Sequence, residues 1–119
     1  MKLNGIVSQL ASWTREHASK LRQKGIQVEE RFPDNASADS WKATIGLVFN
    51  DIAVTYTVWE RTVLQTSLIV FNSKTKQTVF FKDSEPETPG VVDTDLDDVV
   101  KQLVSGEYSK MSSSYRPLT

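Results

Sequence analysis

The chain has 119 residues, 39% of them hydrophobic and 24% charged, with a formal net charge of −1. That length supports one domain that buries roughly two-thirds of its unfolded surface, and the composition excludes a disordered or fibrous chain. There is no cysteine, which excludes disulfides and thiolate metal sites, and no apolar run approaches the roughly 18 residues of a membrane helix.

The opening stretch, MKLNGIVSQLASW, is interrupted by Asn4, Ser8, Gln9 and Ser12 and does not read as a secretion signal. Leu3, Ile6, Val7, Leu10, Trp13, His17 and Leu21 recur at spacings of three and four, which predicts a helix from about 3 to 24 that Gly25 ends. Ile26, Val28, Glu30 and Phe32 alternate with polar residues as a charged edge strand, stopped by Pro33-Asp34-Asn35. Trp41, Ala43, Ile45, Leu47 and Phe49 share one parity. A two-residue turn at Asn50-Asp51 then sets Phe49 opposite Ile52, Leu47 opposite Val54, Ile45 opposite Tyr56 and Ala43 opposite Val58. A slip of one residue would bury Lys42, Thr44, Thr55 and Thr57, so the pattern specifies the register.

Leu64, Thr66, Leu68 and Val70 continue the apolar face on a fourth strand, with Ile69 and Phe71 pointing the other way near Trp59. After a turn at 72–76, a fifth strand from Gln77 to Lys82 is expected to place Val79 and Phe81 on one side and Phe80 on the other. Pro86 and Pro89-Gly90 mark a loop. Leu96, Val99, Val100, Leu103 and Val104 form a second helical stripe, capped by Asp93 or Thr94 and ended by Gly106. The fold class is therefore α+β: an N-terminal helix, a five-stranded antiparallel meander and a C-terminal helix, with both helices on one face of the sheet. Residues 1–106 form the single domain and 107–119 a flexible tail, with Tyr108, Met111 and Tyr115 as anchors.

No reactive constellation emerges. His17, the only histidine, falls on the apolar stripe beside Trp13, where a packed imidazole is the simpler reading. The segment from Asp93 to Asp98 lacks the central Gly and twelfth-position Glu of a calcium loop, and the five glycines are too scattered for a phosphate loop. Glu29 and Glu30 point to opposite faces of one strand and cannot act together as acid and base. Neither a basic stripe nor an RNP-type motif suggests nucleic acid. The expectation is a non-enzyme without cofactor or metal, binding no nucleic acid, membrane or small-molecule substrate.

What remains is recognition. Residues 83–98 carry seven acidic groups and no basic one, while Trp59, Ile69, Phe71 and Phe80 form an apolar patch on the outer sheet face bordered by Lys42 and Glu60. Aromatic anchors inside a polar rim are the composition of a protein interface. The candidate partner-binding residues are Trp59, Glu60, Ile69, Phe71, Phe80, Asp83, Glu85 and Glu87.

The stretch from Thr57 to Glu85 resembles the TriTu-type immunity proteins, antidotes of polymorphic ADP-ribosyltransferase toxins acting on elongation factor Tu. The resemblance lies in Val58-Trp59-Glu60, the alternating strand Leu68 to Asn72, the Lys-Thr turn after it, and Val79-Phe80-Phe81 before an acidic segment and a terminal helix. With the leading helix and early strands in the same order, it spans about residues 3 to 105. It implies a cytoplasmic antidote that binds its toxin domain one-to-one and occludes the NAD- or target-binding cleft. The alternative is a small acidic secretion or assembly chaperone that holds a client segment, expected to be a dimer.

Overall fold

The computed structural model describes residues 5–32, 42–60 and 62–110. Its first element is α1 (Ile6–Gln23), whose stripe of Ile6, Leu10, Trp13 and Leu21 is buried. The helix ends because Gly25 adopts φ 85, a left-handed conformation that lets the Gly25 N–H donate to the Arg22 carbonyl and the Ile26 N–H to that of Leu21, each at 3.0 Å. Leu21 and Ile26, on either side of the turn, are both buried in the core, and the chain passes directly into the sheet.

Five strands follow: β1 (Gln27–Arg31), β2 (Lys42–Phe49), β3 (Ile52–Glu60), β4 (Leu64–Asn72) and β5 (Gln77–Ser84), all antiparallel and in sequential order. The β2–β3 register is the expected one, from Phe49 opposite Ile52 to Ala43 opposite Val58. Asn50 takes the left-handed position of that turn at φ 55, which a short polar side chain tolerates. At the next turn but one, buried Asn72 accepts the N–H groups of Lys74 and Thr75 on its side-chain oxygen, 2.9 and 3.1 Å away, and Lys76 turns left-handed at φ 63.

β5 differs from its expected alternation. Val70 pairs with Phe80, but Phe71 pairs with Thr78, so Val79 is an extra residue in β5. This bulge turns both Val79 and Phe80 towards the helices and leaves Phe81 opposite Ile69 on the other face. Phe80 therefore does not belong to the outer patch: it packs against the core, its ring centroid 6.2 Å from that of Tyr108.

Two further corrections concern the C-terminal part. α2 (Val91–Ser105) begins earlier than expected, with Gly90 rather than Asp93 or Thr94 at the cap, and ends at left-handed Gly106 (φ 81) as expected. The tail does not start at 107. Glu107–Lys110 form a short helix, α3, and burial of Tyr108 in the core joins it to the fold. Met111 and Tyr115 lie outside the described residues, as do Leu3, the Pro33-Asp34-Asn35 stop and Trp41.

Both long helices pack on one face of the sheet. That face buries Ala43, Ile45, Leu47, Val54, Tyr56, Val58, Leu68 and Val70 beneath Leu10, Trp13, Leu96, Val99 and Leu103. Each fully buried aliphatic side chain of this set contributes roughly 1.5–3 kcal/mol before chain entropy is counted.

Candidate functional site

The polar groups buried beneath the helices are bonded to one another. Asp95, 5% exposed, accepts the Tyr56 hydroxyl at 2.8 Å on one oxygen and the Lys82 ammonium at 3.1 Å on the other. Burial, reinforced by the adjacent Asp95 carboxylate, pushes the Tyr56 hydroxyl far above the ordinary phenol range. Thr66 and Ser84 share a hydrogen bond of 2.8 Å beside this cluster. One turn apart on each helix, Gln9 donates to Asp93 and Trp13 Nε1 donates to Asp97, both at 3.0 Å. The His17 ring stacks on Trp13 at 4.4 Å and its Nδ1–H donates to the Trp13 carbonyl at 2.8 Å. Among the described residues no buried side-chain nitrogen or oxygen lacks a partner. Three of the seven acids at 83–98 thus tie α2 to α1 and the sheet.

Glu60 also belongs to this architecture. Its carboxylate accepts the Val7 N–H at 3.1 Å and lies against Gly5, where a Cβ would collide with it. An acid from β3 thus caps the open N-terminus of α1, whose first turn has no acid of its own. Its expected place in a partner-binding rim is corrected accordingly.

The other face of the sheet is built differently. None of its residues, from Arg31 on β1 to Asp83 on β5, is buried, and Ile69 is 36% exposed. Trp59 stands opposite Gln65, whereas Ile69 stands opposite Thr55 and Phe71 opposite Ala53. At about 3.3 Å per residue, Ile69 lies about 13 Å and Phe71 about 20 Å along the sheet from Trp59. The expected single aromatic patch is therefore two: Ile69, Phe71 and Phe81 at one end, and Trp59 at the other.

Trp59 forms a wall shared by two grooves. One, of about 440 Å³, is lined by Trp59, Gln65, Thr66, Asp83, Ser84 and Glu85. The second, of about 400 Å³, runs over Gly46 between Arg31, Glu29 and Lys42, with the Thr44 and Thr57 hydroxyls 3.1 Å apart on its floor. The Lys42 ammonium is 6.0 Å from the Trp59 ring centroid, at the limit of a cation–π contact. The structure thus brings Trp59, Asp83 and Glu85 together. Glu87 is exposed on the connection to α2, two residues beyond Glu85, and lines neither groove. Arg31, Thr44, Thr57, Gln65 and Ser84 were absent from the sequence-based site, although counting back from the Glu60–Leu64 pair would have set Gln65 beside Trp59.

Among the described residues no three metal-ligating side chains converge, and no helix is long and apolar enough to cross a membrane. The chain matches no protein-family model, no curated protein and no solved structure.

Proposed function

We propose that this chain is an immunity protein: it binds a bacterial toxin domain, an ADP-ribosyltransferase by the TriTu resemblance, and neutralises it in the cytoplasm as a one-to-one complex that occludes the NAD- or target-binding cleft. The observation that carries this reading is the contrast between the faces of the sheet. The side-chain polar atoms buried beneath the helices are all paired among the described residues, while the outer face keeps a half-exposed tryptophan between two grooves and a second apolar cluster at Ile69 and Phe71. Such half-exposed aromatics with charged rims suit docking against another protein surface. Asp83 and Glu85, beside Trp59, supply negative charge suited to a cleft that binds phosphates. Glu87, further along the same connection, extends that charge.

The test is co-expression with the toxic domain encoded immediately upstream of the gene, following cell survival and co-purification. Rescue with a stable one-to-one complex is expected. A toxic domain that still kills would overturn the immunity reading, and no toxicity to rescue, or a dimer of this chain that instead holds an unfolded client, would replace it with the chaperone one.

A further inference from the structure

The outer face carries its charge at two ends, and the strand register makes that arrangement geometric. One row crosses the whole sheet with each residue opposite the next: Arg31, Thr44, Thr57, Ser67, Asp83. It begins with a cation, ends with an anion and has three hydroxyls between. The neighbouring row keeps the same sense, with Lys42 opposite Trp59 and Trp59 opposite Gln65. Glu85 then lines the groove beyond them. Four strand spacings of about 4.8 Å put Arg31 about 19 Å from Asp83.

Among the described residues the only salt bridge is that of Lys82 with Asp95 on the inner face, so Arg31, Lys42, Asp83 and Glu85 are without ion-pair partners. Glu29 lines the same groove as the two cations but leans over Gly46, its Oε1 3.6 Å from where a Cβ there would stand, and pairs with neither. Opposite charges held about 19 Å apart are screened from each other at physiological salt, where the Debye length is about 8 Å. They therefore add little to the fold, but they offer a partner two contacts of opposite sign at a fixed separation.

We infer that the outer face takes its partner crosswise and in one orientation: a protein segment lies over the strands with a basic side chain in the Trp59, Asp83 and Glu85 groove and an acidic side chain over Arg31 and Lys42. This rests on the immunity reading of the same face and adds the partner's chemistry and direction. The acidic groove offers a cation two carboxylates beside the Trp59 side chain, which suits a guanidinium. The opposite end offers a carboxylate two cations, against the one acid Glu29, beside a hydroxyl pair. A reversed segment would set like charge on like at both ends, which selects against it.

The test uses the full chain, labelled with ¹⁵N, and two probes, N-acetylarginine methylamide and N-acetylglutamate methylamide. The arginine probe is expected to shift the Trp59 indole and the Ser84 and Glu85 amides saturably, and the glutamate probe the Arg31 and Thr44 amides. D83N/E85Q should abolish only the first response and R31Q/K42Q only the second. Against the toxic domain, D83K/E85K and R31E/K42E should each weaken binding about 10-fold, with the effects multiplying because the ends are far apart. Probes that move the same signals, or fail to saturate, overturn the inference. So does a complex that persists at full affinity when either end is reversed, and that result leaves the immunity reading standing. Two separate probe sites on a chain that forms no complex with the toxic domain would support the two-ended face and remove the immunity reading instead.

Discussion

Two isoleucines of the same sheet show how differently its faces are built. Ile45 on β2 is fully buried beneath the helices, while Ile69 on β4 points the opposite way and is 36% exposed. The surrounding polar groups follow the same division. Beneath the helices Tyr56, Asp95 and Lys82 bond to one another, whereas Arg31, Lys42, Asp83 and Glu85 on and beside the open face form no ion pair among the described residues. Paired groups in a sealed layer hold the fold. Unpaired groups around a half-exposed tryptophan are available for recognition, so side-chain chemistry here acquires its role from the face it occupies.

The largest expected effect breaks the comparison directly. Ile45→Ala should destabilise the chain by about 2–5 kcal/mol through lost burial and a cavity, and Ile69→Ala by less than about 1 kcal/mol, both read from urea midpoints. Equal losses would mean that the open face is covered in solution. Alkaline pH acts next, and only on the sealed side. Burial, with Asp98 nearby, pushes the Tyr108 hydroxyl up to about 12 from its ordinary value of 10.0. A raised folded-state value means that its stabilisation is intact below pH 10 and is lost as the pH climbs through about 12. Tyr56 is shifted in the same direction. The loss from Tyr108 is on the order of 2–3 kcal/mol, and Tyr108→Phe should flatten that part of the curve.

Asp95→Ala should cost about 2 kcal/mol, since the buried Tyr56 hydroxyl loses its acceptor while half-exposed Lys82 returns to water at little cost. In the Tyr56→Phe background the same substitution should cost less, and the difference in urea midpoints measures the coupling. The smallest of the structural effects is Glu60→Ala, at about 1 kcal/mol, the value of a helix cap. Weakened amide-exchange protection should be confined to the first turn of α1.

The fold was legible where local pattern and turn chemistry agreed. Ala43 to Val58 alternates cleanly around Asn50-Asp51, so hairpin, register and face followed together. Val79-Phe80-Phe81 could not be read that way, because three consecutive apolar residues carry no period and the bulge that turns Val79 and Phe80 inward is decided by packing against Tyr108. Glu60 was misread for a different reason. Its partner, the Val7 N–H, is 53 residues away, and no local spacing encodes that meeting. The start of α2 was displaced because Asp93 and Thr94 resemble caps, yet Asp93 is occupied by Gln9 from α1. Trp59, Asp83 and Glu85 were each recognisable as surface candidates. Their convergence, and the division of the aromatic patch, required the β3–β4 and β4–β5 registers.

The central claim, that the open face is the binding face, is tested most directly by calorimetric titration of the toxic domain with the wild-type chain, with Trp59→Ala/Ile69→Ser, and with Val104→Ser on the exposed side of α2. The outer-face variant should bind at least about 30-fold more weakly while remaining folded, as loss of interface anchors requires, and the Val104 variant should bind as the wild type does. Unchanged affinity for the first and loss of affinity for the second would contradict the account and move the interface to the helices.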